Sequence, residues 1–143
     1  MPATPQTPFN IFSASKAITA MVVHLLEQRR LLHLDDPVCA YIPEFAAHGK
    51  RCITIRHLLT HRAGLPNTAP ASMDLDLLDR PAQILRILCD TRPTLRPGHH
   101  TAYHAISAGF VLGEIVRRVT GHDIRTILGR EILQPLGFRW MNY

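Results

Sequence analysis

The chain has 143 residues, 46% of them hydrophobic and 19% charged, with 8 Gly and 11 Pro, a composition that fits one globular domain or a large piece of one and excludes a disordered tail. Arg, His, Glu or Asp breaks every apolar run before it reaches the roughly 18 residues of a membrane-spanning helix. The opening MPATPQTPFN has neither the basic nor the apolar region of a secretory signal, so a cytoplasmic location is expected. The net charge of +5 comes from 16 Lys and Arg set against 11 Asp and Glu, and the basic residues are spread over several segments.

The first periodic segment runs from about Ser13 to Arg30, where Ile18, Met21, Val22, Leu25 and Leu26 recur at three- and four-residue spacing and predict an amphipathic helix. It must end before Pro37. After a loop-rich stretch to Arg51, Thr54 is placed to cap a short helix through His57, Leu58 and Leu59 that stops near Gly64-Leu65-Pro66. Residues 66–80 read as a long ordered surface loop. Pro81 suits the first turn of a helix through Ile84, Leu85, Ile87 and Leu88. The turn-rich stretch Arg92 to Gly98 then leads to a longer helix at about His104 to Thr120, with Leu112, Ile115, Val116 and Val119 on one face and Gly121 as its stop. Asp123 caps a last helix through Ile124, Ile127, Leu128, Ile132 and Leu133. Arg29-Arg30 and Arg117-Arg118 close two of these helices, where cations complement the partial negative charge of the C-terminus. Only Cys52-Ile53-Thr54-Ile55 looks even weakly like a strand. The chain therefore reads as nearly all helix, yet its helices carry wide apolar faces and long Pro-rich connections, which suggests a further layer to cover them.

Cys39, Cys52 and Cys89 are too widely spaced for a thiolate zinc site and read as ordinary free thiols. His100 and His104 are four apart, and with His99 they raise a metal alternative, but no third carboxylate or thiolate stands at a diagnostic spacing. His57 and His61 share the same spacing and are assigned structural roles, buttressing the loop that ends at Gly64. A pI of about 9.6 prompts a second alternative, a small basic helical binding module, although no helix gathers Arg or Lys with base-reading Asn or Gln on one face.

The most informative tetrapeptide is Ser13-Ala14-Ser15-Lys16. Residues three apart lie on one helix face, so a hydroxyl and an amine can meet there, and the positive end of the helix favours a developing alkoxide. Around it, in one order, stand Phe12-Ser13-Ala14-Ser15-Lys16, Leu34-Asp35-Asp36-Pro37-Val38, Ile55-Arg56-His57-Leu58-Leu59-Thr60-His61-Arg62-Ala63-Gly64-Leu65-Pro66, and Arg96-Pro97-Gly98 ahead of Tyr103-His104-Ala105. This ordered set resembles the serine β-lactamase-like hydrolases, specifically the class C β-lactamase-related esterases known as family VIII carboxylesterases, from Phe12 to about Gly137.

The resemblance implies that Ser13 is the acylated nucleophile, Lys16 its activating partner and Tyr103 the phenol that relays the proton. It implies hydrolysis of a small-molecule ester or amide through an acyl-enzyme, with no metal or organic cofactor. One oxyanion donor would be the Ser13 backbone N–H and the second would come from a strand outside this chain. Where many relatives carry Tyr-x-Asn, this sequence has Tyr103-His104-Ala105, which points toward the esterase branch. The strands and the third motif that usually accompany these segments are not found between Met1 and Tyr143. The fold expected is thus mainly α, the helical portion of an α/β (α+β) β-lactamase/transpeptidase-like fold lacking most of its antiparallel sheet, as one partial domain over 1–143. Low activity in isolation, self-association or pairing with a complementary chain through exposed apolar helix faces, and no nucleic-acid partner are expected. A catalytically inactive truncated remnant is the remaining alternative.

Overall fold

The computed structural model describes residues 2–4, 7–66, 75–138, 141 and 143, and within them the chain is helical. After a single 3₁₀ turn at Phe12–Ala14 come helices α1 (Ser15–Gln28), α2 (Val38–Tyr41), α3 (Ile55–Leu59), α4 (Pro81–Asp90), α5 (Ser107–Thr120) and α6 (Ile124–Leu128), with a π turn at Gly129–Leu133. Further 3₁₀ segments lie at Pro43–Cys52, kinked at His48 and Gly49, and at Leu75–Asp79. Residues 67–74 of the expected surface loop lie outside the described residues.

Local chemistry sets most boundaries. Thr54 accepts the His57 N–H while His57 Nδ1 accepts the Thr54 N–H, a reciprocal cap that starts α3. Pro81 occupies the first turn of α4. Asp123 Oδ1 accepts the Thr126 N–H at the start of α6. Gly121, at φ 75, ends α5 in the left-handed region that a residue without Cβ adopts freely. Several boundaries differ from the periodicity: the stretch read as loop holds α2 and the 3₁₀ segment Pro43–Cys52, and the last helix passes from α to π at Gly129. The first helix begins at Ser15 because Phe12–Ala14 winds as a 3₁₀ turn, and α5 begins at Ser107 because His104 is drawn into the core by a loop contact.

Helix α5 is the hub and packs against α1, α2, α3, α4 and α6. Its buried face is Ser107, Ala108, Val111, Leu112, Ile115 and Val116, and α1 meets it through Thr19, Val22, Val23 and Leu26. Met21, predicted on the inner face of α1, points outward. The helix faces thus close largely on one another, and among the described residues most large exposed apolar side chains lie off the helices, including Phe9, Ile11, Ile106, Leu136 and Phe138. The arginine pairs do more than complement helix ends. Arg29 bonds Glu131 at 2.5 Å, while Arg118 joins Glu114 of its own helix to Glu44 and to the Tyr41 carbonyl at 3.0 Å.

Residues 34–38 and 53–56 run antiparallel, through Val38 N–H to Ile53 O (2.8 Å), Ile55 N–H to Asp36 O (3.2 Å) and Arg56 N–H to Leu34 O (2.7 Å). They meet in the isolated bridge Pro37–Thr54. The weakly strand-like stretch is therefore one half of a two-segment tie that anchors α3.

A second tie crosses at Gly64. Its carbonyl accepts the Thr94 and Leu95 N–H groups at 2.9 and 3.3 Å, its φ is 77, and a Cβ there would stand 2.1 Å from the Leu95 carbonyl oxygen. Lys50, fully buried, donates to the Cys89 and Thr91 carbonyls at 2.8 and 2.6 Å and so satisfies two acceptors at the end of α4. Burial pushes its ammonium below the ordinary lysine range.

Two stability predictions result. Lys50→Met should cost about 2 kcal/mol in urea unfolding, since it strands two carbonyls at a buried helix end; a loss below about 0.5 kcal/mol would show that those acceptors do not depend on the lysine. Gly64→Ala should cost at least about 2 kcal/mol, the sum of a left-handed alanine and a backbone overlap that only movement of 92–98 can relieve. A thermal midpoint unchanged from the parent would contradict the crossing.

Candidate active site

Ser13 sits in the 3₁₀ turn just before α1, and the turn is sharp because Phe12 takes φ 45, an unusual backbone for a bulky residue. Two side chains hold it there. Asn10 Oδ1 accepts the Phe12 N–H at 2.8 Å, and Ser15 Oγ donates to the Phe12 carbonyl at 2.7 Å. Ser15 therefore has a part that its place inside the tetrapeptide did not suggest: it pins the residue preceding Ser13.

The structure brings Ser13, Lys16 and Tyr103 together. Lys16 Nζ donates to Ser13 Oγ at 3.2 Å across one turn of helix, and the Tyr103 hydroxyl donates to the same Oγ at 2.7 Å from a segment 90 positions away in the chain. Lys16 Nζ also lies 5.1 Å from the centre of the Tyr103 ring, within cation–π range. Hydrogen bonding with Ser13, and after it with Lys16, holds the Tyr103 phenol below the usual tyrosine range, because the Ser13 hydroxyl and the Lys16 ammonium can each donate to the ionised oxygen. The group is open to solvent, with Ser13 exposed and Tyr103 52% exposed.

Histidines furnish the wall behind Tyr103. The His61 ring packs against Tyr103 with centroids 4.9 Å apart and stacks on His104 at 5.6 Å. His61 Nδ1 accepts the His104 backbone N–H at 3.1 Å, and the His61 carbonyl accepts the Ala102 N–H at 2.9 Å. His104 is fully buried, its Nε2 accepting the Leu65 N–H at 3.0 Å. That bond assigns the His104 ring proton to Nδ1. Burial lowers the basicity of His57, His61 and His104 alike, with the Lys16 charge acting in the same direction on His61 and the Ala102 backbone opposing it at His104. All three rings thus serve as neutral acceptors of backbone N–H groups.

The same bonds bear on the metal alternative. His100 and His104 precede α5 rather than sharing a helix face, and His104 Nε2 is already engaged. Among the described residues no cluster of three His, Cys, Asp or Glu side chains is arranged to hold a metal ion. The His57 ring caps the start of α3 and the His57 carbonyl accepts the Arg62 N–H, while the His61 ring turns to Tyr103 and His104, a contact of which the sequence held no sign. No helix among the described residues is long and apolar enough to cross a membrane.

The beta-lactamase family model matches residues 1–143. The chain is 36% identical over 129 residues to the esterase/beta-lactamase LipL of Mycobacterium tuberculosis (strain ATCC 25618 / H37Rv), a match covering 88% of this chain and 29% of that protein. It is 33% identical to esterase EstB of Burkholderia gladioli, covering 96% of this chain and 39% of that protein. The crystal structure of a family VIII carboxylesterase superposes with a TM-score of 0.83 at 31% identity, covering 88% of this chain and 34% of that one. The chain thus spans roughly a third of the length of these relatives, and the part it spans is their helical portion. With the whole chain matched by the family model and the fold shared with solved relatives, it belongs to the beta-lactamase family.

Proposed function

We propose that the chain carries the nucleophile end of a serine acyl hydrolase, acting on a small carboxylic ester through an acyl-enzyme on Ser13. The observation that carries this reading is the meeting of three side chains on one oxygen, Ser13 Oγ, with Tyr103 at 2.7 Å and Lys16 at 3.2 Å. The esterase names of LipL and EstB, and the Tyr103-His104-Ala105 text, support an ester over a lactam as substrate.

The chemistry follows from those contacts. Ionised Tyr103 takes the Ser13 proton as Oγ bonds to the substrate carbonyl carbon, and the neighbouring Lys16 charge stabilises the phenolate that does so. Collapse of the tetrahedral species breaks the bond to the leaving alkoxide, which recovers the proton from Tyr103. Water then gives a proton to Tyr103 and attacks the acyl carbon, and Ser13 leaves with that proton. The start of a helix supplies backbone N–H groups and positive potential for the oxyanion. No strand flanks Ser13 among the described residues, so a second fixed donor is not provided there and turnover by this chain alone is expected to be slow. Phe9, Ile11 and Phe12, all exposed and within four residues of Ser13, are the side chains through which a second copy or a complementary chain would pack.

Intact-mass detection of a fluorophosphonate adduct tests the reading without a known substrate. One adduct per chain, absent in Ser13→Ala, is expected; no adduct on folded protein would overturn the hydrolase reading in favour of a non-catalytic relative. Tyr103→Phe should slow labelling by about 10²-fold or more, because the proton acceptor is lost.

The pH dependence has a defined sign. Labelling needs the ionised phenol, so its rate should rise with pH through the Tyr103 pKa, which lies below the ordinary value of 10.0. Lys16→Ala removes a cation that favours the phenolate, and the rising limb should move to higher pH. A limb that stays in place would remove Lys16 from the activation step.

A further inference from the structure

We infer that His61 is a positioning residue for Tyr103, holding the peptide on both sides of that tyrosine so that its hydroxyl stands over Ser13. The inference rests on the proposed role of Tyr103 as proton carrier, but its basis is geometric. Three consecutive residues, Ala102, Tyr103 and His104, each touch His61. The His61 carbonyl accepts the Ala102 N–H at 2.9 Å, its ring packs on Tyr103 at 4.9 Å, and its Nδ1 accepts the His104 N–H at 3.1 Å. One residue therefore sets the backbone before and after the phenol and the plane beside it.

His61 itself is fixed by the main chain. It follows α3, takes φ 58, and donates its N–H to the Leu58 carbonyl at 3.2 Å. The next residue, Arg62, donates its N–H to the His57 carbonyl at 2.7 Å and accepts the Gly98 N–H at 2.8 Å. The tie from α3 to the Tyr103 segment is thus doubled, while Tyr103 itself is half exposed and lies on a connection without helix of its own. A phenol on such a connection would sweep a wide arc if not clamped, and a displacement of about 1 Å at a reacting group can cost 10²-fold in rate. The groups around the clamp are Lys16 from α1 and Tyr103 and His104 from the connection, and Nδ1 can accept the His104 N–H only while it carries no proton.

The phenol gives a readout that does not depend on turnover. Of the three tyrosines, Tyr41 is pushed up to about 12 by burial and Asp36, Tyr143 is raised by burial, and Tyr103 alone is lowered, so Tyr103 should titrate first in a spectrum of protein labelled with ¹³C at tyrosine Cζ. His61→Ala removes ring and acceptor together, and His61→Asn keeps an acceptor near the Nδ1 position and suits the left-handed backbone. The Ala variant should move the Tyr103 titration up toward its ordinary value and slow fluorophosphonate labelling about tenfold or more. The Asn variant should keep both closer to the parent. A folded Ala variant whose Tyr103 titrates where the parent's does would overturn the positioning role. If the Ala variant does not fold, His61→Phe replaces it, since it keeps a packed ring without an acceptor and should raise the titration in the same way. The two readings fail separately: a parent chain that never labels at Ser13, with a Tyr103 titration that still rises in the Ala variant, leaves the clamp standing and removes the hydrolase.

Discussion

The arrangement depends most on the left-handed turn between His61 and Gly64. A helical core can bury its faces in many ways, but here the exit of α3 must lie against the connection that precedes α5, and backbone hydrogen bonds make that contact. Arg62 and Gly64 accept N–H groups from Gly98, Thr94 and Leu95, and His61 accepts from Ala102. Two of the four residues, His61 and Gly64, have positive φ, and at Gly64 the opposing Leu95 carbonyl leaves no room for a Cβ. The crossing thus converts a short helix and a Pro-rich connection into one frame. Tyr103 stands at the edge of that frame, and its hydroxyl reaches Ser13 in the 3₁₀ turn just before α1.

Neutral histidines suit this frame. A backbone N–H turned inward needs an acceptor, and an imidazole nitrogen supplies one without bringing a charge into the apolar interior. His57, His61 and His104 each do so for a different N–H, and burial keeps each ring neutral. The fixed positive charge nearest the phenol is then Lys16, which reaches Ser13 Oγ and the Tyr103 ring from one turn of α1. Charge at the site is concentrated on the group that can stabilise a phenolate, while the supporting rings contribute geometry.

Much of this was legible in the residues. Thr54, Pro81, Gly121 and Asp123 mark helix boundaries through local chemistry, and each occupies the place expected of it, because a cap is decided within about four residues of chain. The family resemblance rested on text of the same kind and agrees with the match over residues 1–143. Ser13 and Lys16 could be paired from their spacing alone, since one turn of helix determines the distance between them. Less was legible where two distant segments compete for one residue. His104 was read as the start of α5 and a member of a metal alternative, yet the Leu65 N–H draws its ring into the core. Met21 fits the period of α1 but points away from it, because α5 approaches from the side of Val22, Val23 and Leu26.

The sequence by itself determined that the chain is helical, where its caps fall, which family it resembles and which hydroxyl and amine share a helix turn. Only the tertiary structure decided that the Tyr103 hydroxyl reaches Ser13 Oγ, that Ser15 pins Phe12, and that His61 clamps the segment carrying the phenol. The reason is range. Caps and periodicity act over a few residues and are written in neighbouring letters, whereas these contacts join positions tens of residues apart, or depend on a backbone turn whose φ no side chain announces.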